Sequence, residues 1–204
     1  MLSIDDFQSR LAARLTPLDR LGEAPVRSER DLEPHGADAS PLTPAAVLAP
    51  IVRRPEGWTM LLTQRAAAMP THAGQVAFPG GRIQAEDDGP LAAALRETHE
   101  EIGLTREWIT PLGGGDLYET GSGFRITPII AFVEPGFALN PDPREVDAVF
   151  ETPLAFLMNP ANHELRETFW RGAMRSYYAM PYDNRFIWGA TAAMIRALYE
   201  RLYE

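Results

Sequence analysis

The chain has 204 residues, 45% of them hydrophobic, and carries 28 acidic against 19 basic side chains for a net charge of −9. That suits one domain with a substantial core, and the negative charge disfavours nonspecific attraction to nucleic acid or to anionic lipid. There is no cysteine for a disulfide or a thiolate metal site, and no apolar run approaches the ~18 residues of a membrane span.

The amino end, MLSIDDFQSRL, has neither a basic start nor an apolar run, so a soluble cytoplasmic protein is expected. Ile4, Phe7, Leu11 and Leu15 recur at helical spacing and predict a short amphipathic helix. From about Thr16 to Pro44 the sequence collects Pro, Gly, Asp, Glu and Arg without periodicity, as in an ordered arm or a mobile connector. Residues 1–43 are therefore read as a helix and connector arm, and 44–204 as the main domain. Ala45–Val52 and Trp58–Thr63 are apolar, β-prone runs parted by Arg54-Pro55-Glu56-Gly57, which predicts a hairpin. Gln75–Phe78 follows as a short strand.

Next comes FPGGRIQAEDDGPLAAALRETHEEIGL, from Phe78 to Leu104, a glycine loop feeding a helix. Pro90 suits a first helical turn, Asp87 and Asp88 are acidic cap candidates, and Gly103 suits a left-handed stop. Leu91, Leu95, Thr98 and Ile102 form one predicted core stripe, which puts Glu97, Glu100 and Glu101 on the far side. Ala93 and Ala94 are expected to flank that acidic face and leave room for phosphates, or equally to serve only helix propensity. Three like charges within about one turn repel one another. Carboxylate oxygens without cysteine or a histidine pair suit a hard ion, Mg²⁺ or Mn²⁺; a solvated acidic face is the alternative. Gly80 and Gly81 are expected to let the backbone approach an ion or phosphate closely, with a glycine carbonyl in the metal shell; a simple tight turn is the alternative.

Beyond the helix, Ile109–Leu112, Asp116–Glu119 and Phe124–Val133 read as strands, the last of them central, and mixed strands continue to residue 152. Leu154–Met158 reads as a helical turn, 164–180 as an antiparallel pair, and Trp188–Tyr203 as a helix with Ala192, Ile195, Leu198 and Leu202 on one side.

Gly81 through Leu104 resembles the Nudix box, G-x5-E-x7-R-E-U-x-E-E-x-G-U, with Thr98 at an aliphatic position and one extra residue in the loop. That insertion leaves open whether Glu86, Asp87 or Asp88 partners Arg96. Upstream, Leu61 to Gly81 resembles the signature L-L-T-x-R-[SA]-x3-R-x3-G-x3-F-P-G-G of the coenzyme A pyrophosphatase branch. Ten of its eleven fixed positions match, and Pro70 stands where the second arginine is usual. Arg185 to Ala192 is similar to the aromatic-to-helix ending of the same branch.

The resemblance implies an α/β fold, the Nudix-type α/β/α sandwich with a mixed β-sheet. It also implies Mg²⁺ or Mn²⁺ as cofactor, held by Glu97, Glu100 and Glu101, and hydrolysis of the diphosphate of coenzyme A or an acyl derivative to 3′,5′-ADP and 4′-phosphopantetheine. A Nudix hydrolase of another nucleoside diphosphate such as ADP-ribose, or a silent nucleotide-binding module, are the alternatives. Glu100 and Glu145 are the candidates for activating water, and Arg96 is expected to steady the loop. Arg65 is the first choice for holding a phosphate, with a strand-end salt bridge as its other reading. Gly80, Gly81 and His72 are candidate substrate contacts, and His99 is read as solvent-side. Tyr182, Phe186 and Trp188 are weighed as stacking rings against core. The partner is a small molecule, with no nucleic acid and no membrane, and a homodimer is compatible with the sequence.

Overall fold

The computed structural model describes residues 4–32, 41–170 and 173–204. The chain opens with helix α1 (Ile4–Arg14), whose Phe7 and Leu11 are buried, and passes through a short 3-10 turn into strand β1 (Val26–Ser28). Strands β2 (Thr43–Arg54) and β3 (Gly57–Arg65) form the expected hairpin. After it come β4 (Val76–Ala77), β5 (Gly80–Arg82) and helix α2 (Gly89–Ile102). Then follow β6 (Ile109–Gly114), β7 (Leu117–Glu119), β8 (Phe124–Val133) and β9 (Val146–Pro153). The chain continues with helix α3 (Leu154–Leu157), β10 (Glu164–Trp170), β11 (Ala173–Tyr182), β12 (Arg185–Trp188) and helix α4 (Gly189–Tyr203). The connector is ordered over 16–32, and residues 33–40 of it lie outside the described residues.

Among the described residues nine strands make one mixed sheet, in the order β1-β7-β8-β2-β3-β4, with β5 on β2, β6 on β8 and β9 on β3. Strands β2 and β8 run parallel over ten residue pairs, from Thr43 beside Phe124 to Val52 beside Val133, and form its centre. Alternation along β2 and β3 divides the core between the two faces. Leu48, Val52 and Leu61 pack with α2, whereas Val47, Ile51 and Leu62 pack with α1 and α4. The result is an α/β/α sandwich. A second, three-stranded sheet of β10, β11 and β12 stands beside α4, so the expected antiparallel pair has a third strand and the last helix starts at Gly189.

Two chain segments far apart in sequence are tied together at Asp116, a buried carboxylate just before β7. Arg27 donates to it at 3.0 Å and Arg201 of α4 donates to its other oxygen. Arg201 also reaches Thr16 and the carbonyl of Arg14, while Arg10 of α1 donates to the carbonyl of Leu202 at 3.0 Å.

Candidate active site

Helix α2 has the expected proline in its first turn and Gly103 left-handed at φ 71°, but neither Asp87 nor Asp88 caps it through its side chain. Its buried arc differs from the expected stripe. Ala93, Ala94, Thr98 and Ile102 are fully buried and Glu101 is 3% exposed, while Leu91 and Leu95 are only half-buried at the rim. The cause is the close approach of α2 to the sheet: two alanines dock where larger side chains would hold the helix off. Ala93 and Ala94 therefore fill the core and do not open space for phosphates, and Glu101 faces inward, not to solvent.

The glycine loop explains that inward turn. Gly80 and Gly81 pair with Val47 and Ala46 of β2, and a side chain at Gly80 would strike the Ala46 carbonyl oxygen at 2.4 Å. Gly80 also takes φ 153°, and its N–H donates to Glu101 at 3.1 Å. The Glu97 carboxylate lies against Gly81, where an added Cβ would sit 2.5 Å from its carboxyl carbon. Both glycines are thus set by contact with β2 and with the helix glutamates.

Arg96 answers the question left by the extra loop residue. Its Nε and Nη2 grip both oxygens of Asp87 at 2.8 Å, so Asp87 is its acidic partner. The remaining donors go to the carbonyl of Arg82 at 3.2 Å, to Glu97 at 2.8 Å and to Glu100 at 3.0 Å. All five guanidinium donors are in use. The Asp87 carboxyl is held down at about 2 by Arg96 and by the Gln84 N–H. Asp88 occupies the position before the helix without a side-chain cap.

Glu101 is in the opposite condition. Burial pushes its carboxyl up to about 7, against the Gly80 N–H and the Arg65 charge, and the negative Glu97 and Glu145 push the same way. Arg65, at the end of β3, stands 3.7 Å from it, and the buried Arg65 Nε has no hydrogen-bond partner among the described residues. Glu145 arrives on the loop between β8 and β9, which is pinned to the end of α2 by Asn140 N–H to Ile102 and Asp142 N–H to Glu101. The Glu145 carbonyl accepts from the Ala66 N–H at 2.8 Å. The structure therefore gathers Glu97, Glu101, Glu145 and Arg65 beside Gly80 and Gly81.

Other expected residues stand apart. Glu100 is 55% exposed and bound to Arg96. His72 is exposed in the loop after β3, with its ring against Gln75, and His99 is exposed on α2. Tyr182 packs on Phe156 at 4.8 Å, whereas Phe186 is 38% exposed and Trp188 half-buried. Two features escaped the sequence reading. The ties of Asn140 and Asp142 to α2 are backbone bonds that leave no residue signature, whereas the contact of Arg185 with Gln64 joins residues far apart in the chain. Asp87 was legible in principle, as the acid that leaves room for both the loop and the first turn of α2.

The donor set of Glu97, Glu101 and Glu145 is all carboxylate, which suits a hard divalent ion. A cation there would also offset the like charges that raise the Glu101 carboxyl. As placed, no three acidic or imidazole groups among the described residues converge on one point, because Glu97 and Glu100 turn to Arg96 and Glu101 to Gly80.

The NUDIX domain matches residues 42–173. The chain belongs to the Nudix family. It is 34% identical over 202 residues to the "Uncharacterized Nudix hydrolase NudL" of Photorhabdus laumondii, covering 99% of both chains. The protein of the same name from Cronobacter sakazakii is 40% identical over 154 residues, 76% of this chain and 80% of that one. Among solved structures, the NUDIX domain of Shewanella oneidensis NrtR complexed with ADP ribose is 18% identical, with a TM-score of 0.48 over 82% of this chain and 94% of that one. Nudix membership makes the protein a hydrolase of pyrophosphate linkages in nucleoside diphosphate derivatives, a chemistry generally served by Mg²⁺ or Mn²⁺. The Nudix box is the segment that carries β5, the Asp87–Arg96 clamp and the glutamates of α2. No helix among the described residues is long and apolar enough to cross a membrane.

Proposed function

We propose that the protein is a metal-dependent pyrophosphatase that hydrolyses the diphosphate of coenzyme A or an acyl-coenzyme A, releasing 3′,5′-ADP and 4′-phosphopantetheine. The observation that carries this reading is the meeting of the two sequence signatures: Arg65, from the first, stands 3.7 Å from Glu101, from the second, with its buried Nε unbonded among the described residues. A guanidinium with unused donors beside crowded carboxylates suits a diphosphate, which it can grip through two oxygens.

Glu97, Glu101 and Glu145 would hold the divalent ions, with Glu100 at the rim. When bound, the metal supplies positive charge that neutralises the diphosphate and stabilises the leaving phosphate. Gly80 and Gly81 keep side chains out of the way of the phosphates. The Asp87–Arg96 clamp fixes the loop and the Glu97 carboxylate. Glu145, on its pinned loop, is the base that takes a proton from the attacking water. A cytoplasmic setting, where coenzyme A is at hand, fits a chain without cysteine.

The test is turnover of coenzyme A, dephospho-coenzyme A and ADP-ribose with Mg²⁺ or Mn²⁺, with products resolved by chromatography. Coenzyme A should give the highest kcat/KM and yield 3′,5′-ADP. A higher kcat/KM on ADP-ribose, or products that split elsewhere than the diphosphate, would overturn the reading.

A further inference from the structure

Strand β9 departs from a regular ladder beside the site. Thr63 of β3 lies opposite Val149 and Gln64 opposite Ala148, but Arg65 lies opposite Val146, so Asp147 is one residue too many. Such a bulge interrupts the ladder and re-aims the side chains next to it. Here it has two effects. Val146 is 3% exposed and belongs to the core on the α2 side, with Leu61 and Ala93. The Asp147 carboxylate lies at the surface and accepts the Ala67 N–H at 2.9 Å, while the neighbouring Ala66 N–H donates to the Glu145 carbonyl at 2.8 Å.

A ladder without the bulge would have another outcome. Side chains alternate between faces, so Val149 and Asp147 would share the α2 side, and Asp147 would come directly opposite Arg65. Directly opposed residues hold their Cβ atoms about 4.5–5.5 Å apart, within reach of a carboxylate–guanidinium pair. Arg65 would then spend donors on Asp147, and Val146 would leave the core for the opposite face. With the bulge in place, Arg65 faces Glu101 at 3.7 Å, and its buried Nε has no hydrogen-bond partner among the described residues. The ladder bonds lost at the bulge are offset by the burial of Val146 and by the bond from Ala67 to Asp147. We propose that Asp147 is a positioning residue: by accepting the Ala67 N–H it holds the bulge, and the bulge keeps Arg65 open to the diphosphate of the substrate. The last step rests on Arg65 as a diphosphate partner, whereas the hold of Asp147 on Arg65 does not.

Two measurements on the full chain test it. Steady-state kinetics with Mg²⁺, on coenzyme A or on ADP-ribose if that is turned over better, compare the wild type with Asp147→Ala, Asp147→Asn, Arg65→Gln and the double variant of Asp147→Ala with Arg65→Gln. Heteronuclear NMR follows the Arg65 Nε–H signal, assigned by its loss in Arg65→Gln. Asp147→Ala should shift that signal and raise KM about fivefold, with kcat within about twofold of the wild type. Asp147→Asn, whose amide oxygen still accepts the Ala67 N–H, should recover most of both. In the Arg65→Gln background the Asp147→Ala substitution should raise KM by less than about twofold, because the two residues act in series. If Asp147→Ala does not fold, Asp147→Ser takes its place in each comparison. An unshifted Arg65 signal in Asp147→Ala, or a rise in KM that persists in full without Arg65, overturns the proposal. A signal that shifts while Arg65→Gln keeps the wild-type KM would sink Arg65 as diphosphate partner and leave the hold of Asp147 on Arg65 standing.

Discussion

Two arginines bracket the acidic face of α2, and they are in contrasting states. Arg96 has all five donors bonded and sits under the glycine loop with Asp87, Glu97, Glu100 and the Arg82 carbonyl. Arg65 faces Glu101 across 3.7 Å, and its buried Nε has no hydrogen-bond partner among the described residues. In the first region every guanidinium donor is met by an oxygen, with Glu97 shared between Arg96 and the proposed ion site. The second holds crowded carboxylates and unused donors, which is the condition of a site that awaits ions and an anion. Charge density alone does not mark the reacting region on this helix; unspent hydrogen-bonding capacity does.

The largest expected effect comes from neutralising the incomplete region. Glu101→Gln should fold normally, since the amide oxygen can still accept from the Gly80 N–H, but should lower kcat about a hundredfold or more. Normal turnover with unchanged metal dependence would remove Glu101 from the site. Gly81→Ala attacks the boundary between the two regions, because its Cβ must displace the Glu97 carboxylate from 2.5 Å. A fall in kcat/KM of roughly tenfold or more is expected, with only a small change in melting temperature. If the melting temperature collapses while the residual activity per folded molecule is normal, Gly81 serves packing alone.

Breaking the complete region should cost less. Asp87→Asn removes the paired oxygens that hold Arg96, so kcat should drop by about tenfold and proteolysis of the 82–88 loop should quicken. Equal activity and equal protection would show that the other partners of Arg96 suffice. The smallest effect is on pH and stability. The folded Glu101 carboxyl lies at about 7, above its ordinary value. Its contribution to stability is therefore present below about 4.5 and lost as pH rises through 7. Without divalent ions, Glu101→Gln should melt progressively higher than the wild type between pH 5 and pH 8, by a few degrees, and added Mg²⁺ should close the gap. Asp87 has the opposite sign: held at about 2, it stabilises above its ordinary range and is lost only as pH falls through 2. A gap between variant and wild type that does not change with pH would refute the inward, desolvated placement of Glu101.

Much of the fold was legible because apolar alternation and turn residues are local. The hairpin of β2 and β3, the central β8 and the amphipathic α1 and α4 follow from spacing alone. The rotation of α2 did not, since a periodicity argument weights leucine over alanine, whereas close docking on the sheet favours the smaller residue at Ala93 and Ala94. That misweighting also placed Glu101 on the wrong side. The site residues of the helix were legible from their clustering, but the partner of Arg96 depended on loop geometry around the extra residue. The approach of Glu145 depended on backbone bonds from Asn140 and Asp142, to which composition is blind. The contact of Arg185 with Gln64 lay hidden because it spans 121 positions of sequence.

The buried Asp116 has a consequence for how the chain reaches this state. One of its two cationic partners, Arg201, is made 85 residues after it. During synthesis Asp116 therefore has only Arg27 to pair with, and α1 lacks the carbonyls of α4 on which Arg10 and Arg14 close. The arm and the last helix lock each other in place. A growing chain would thus hold its first helix loosely until α4 emerges.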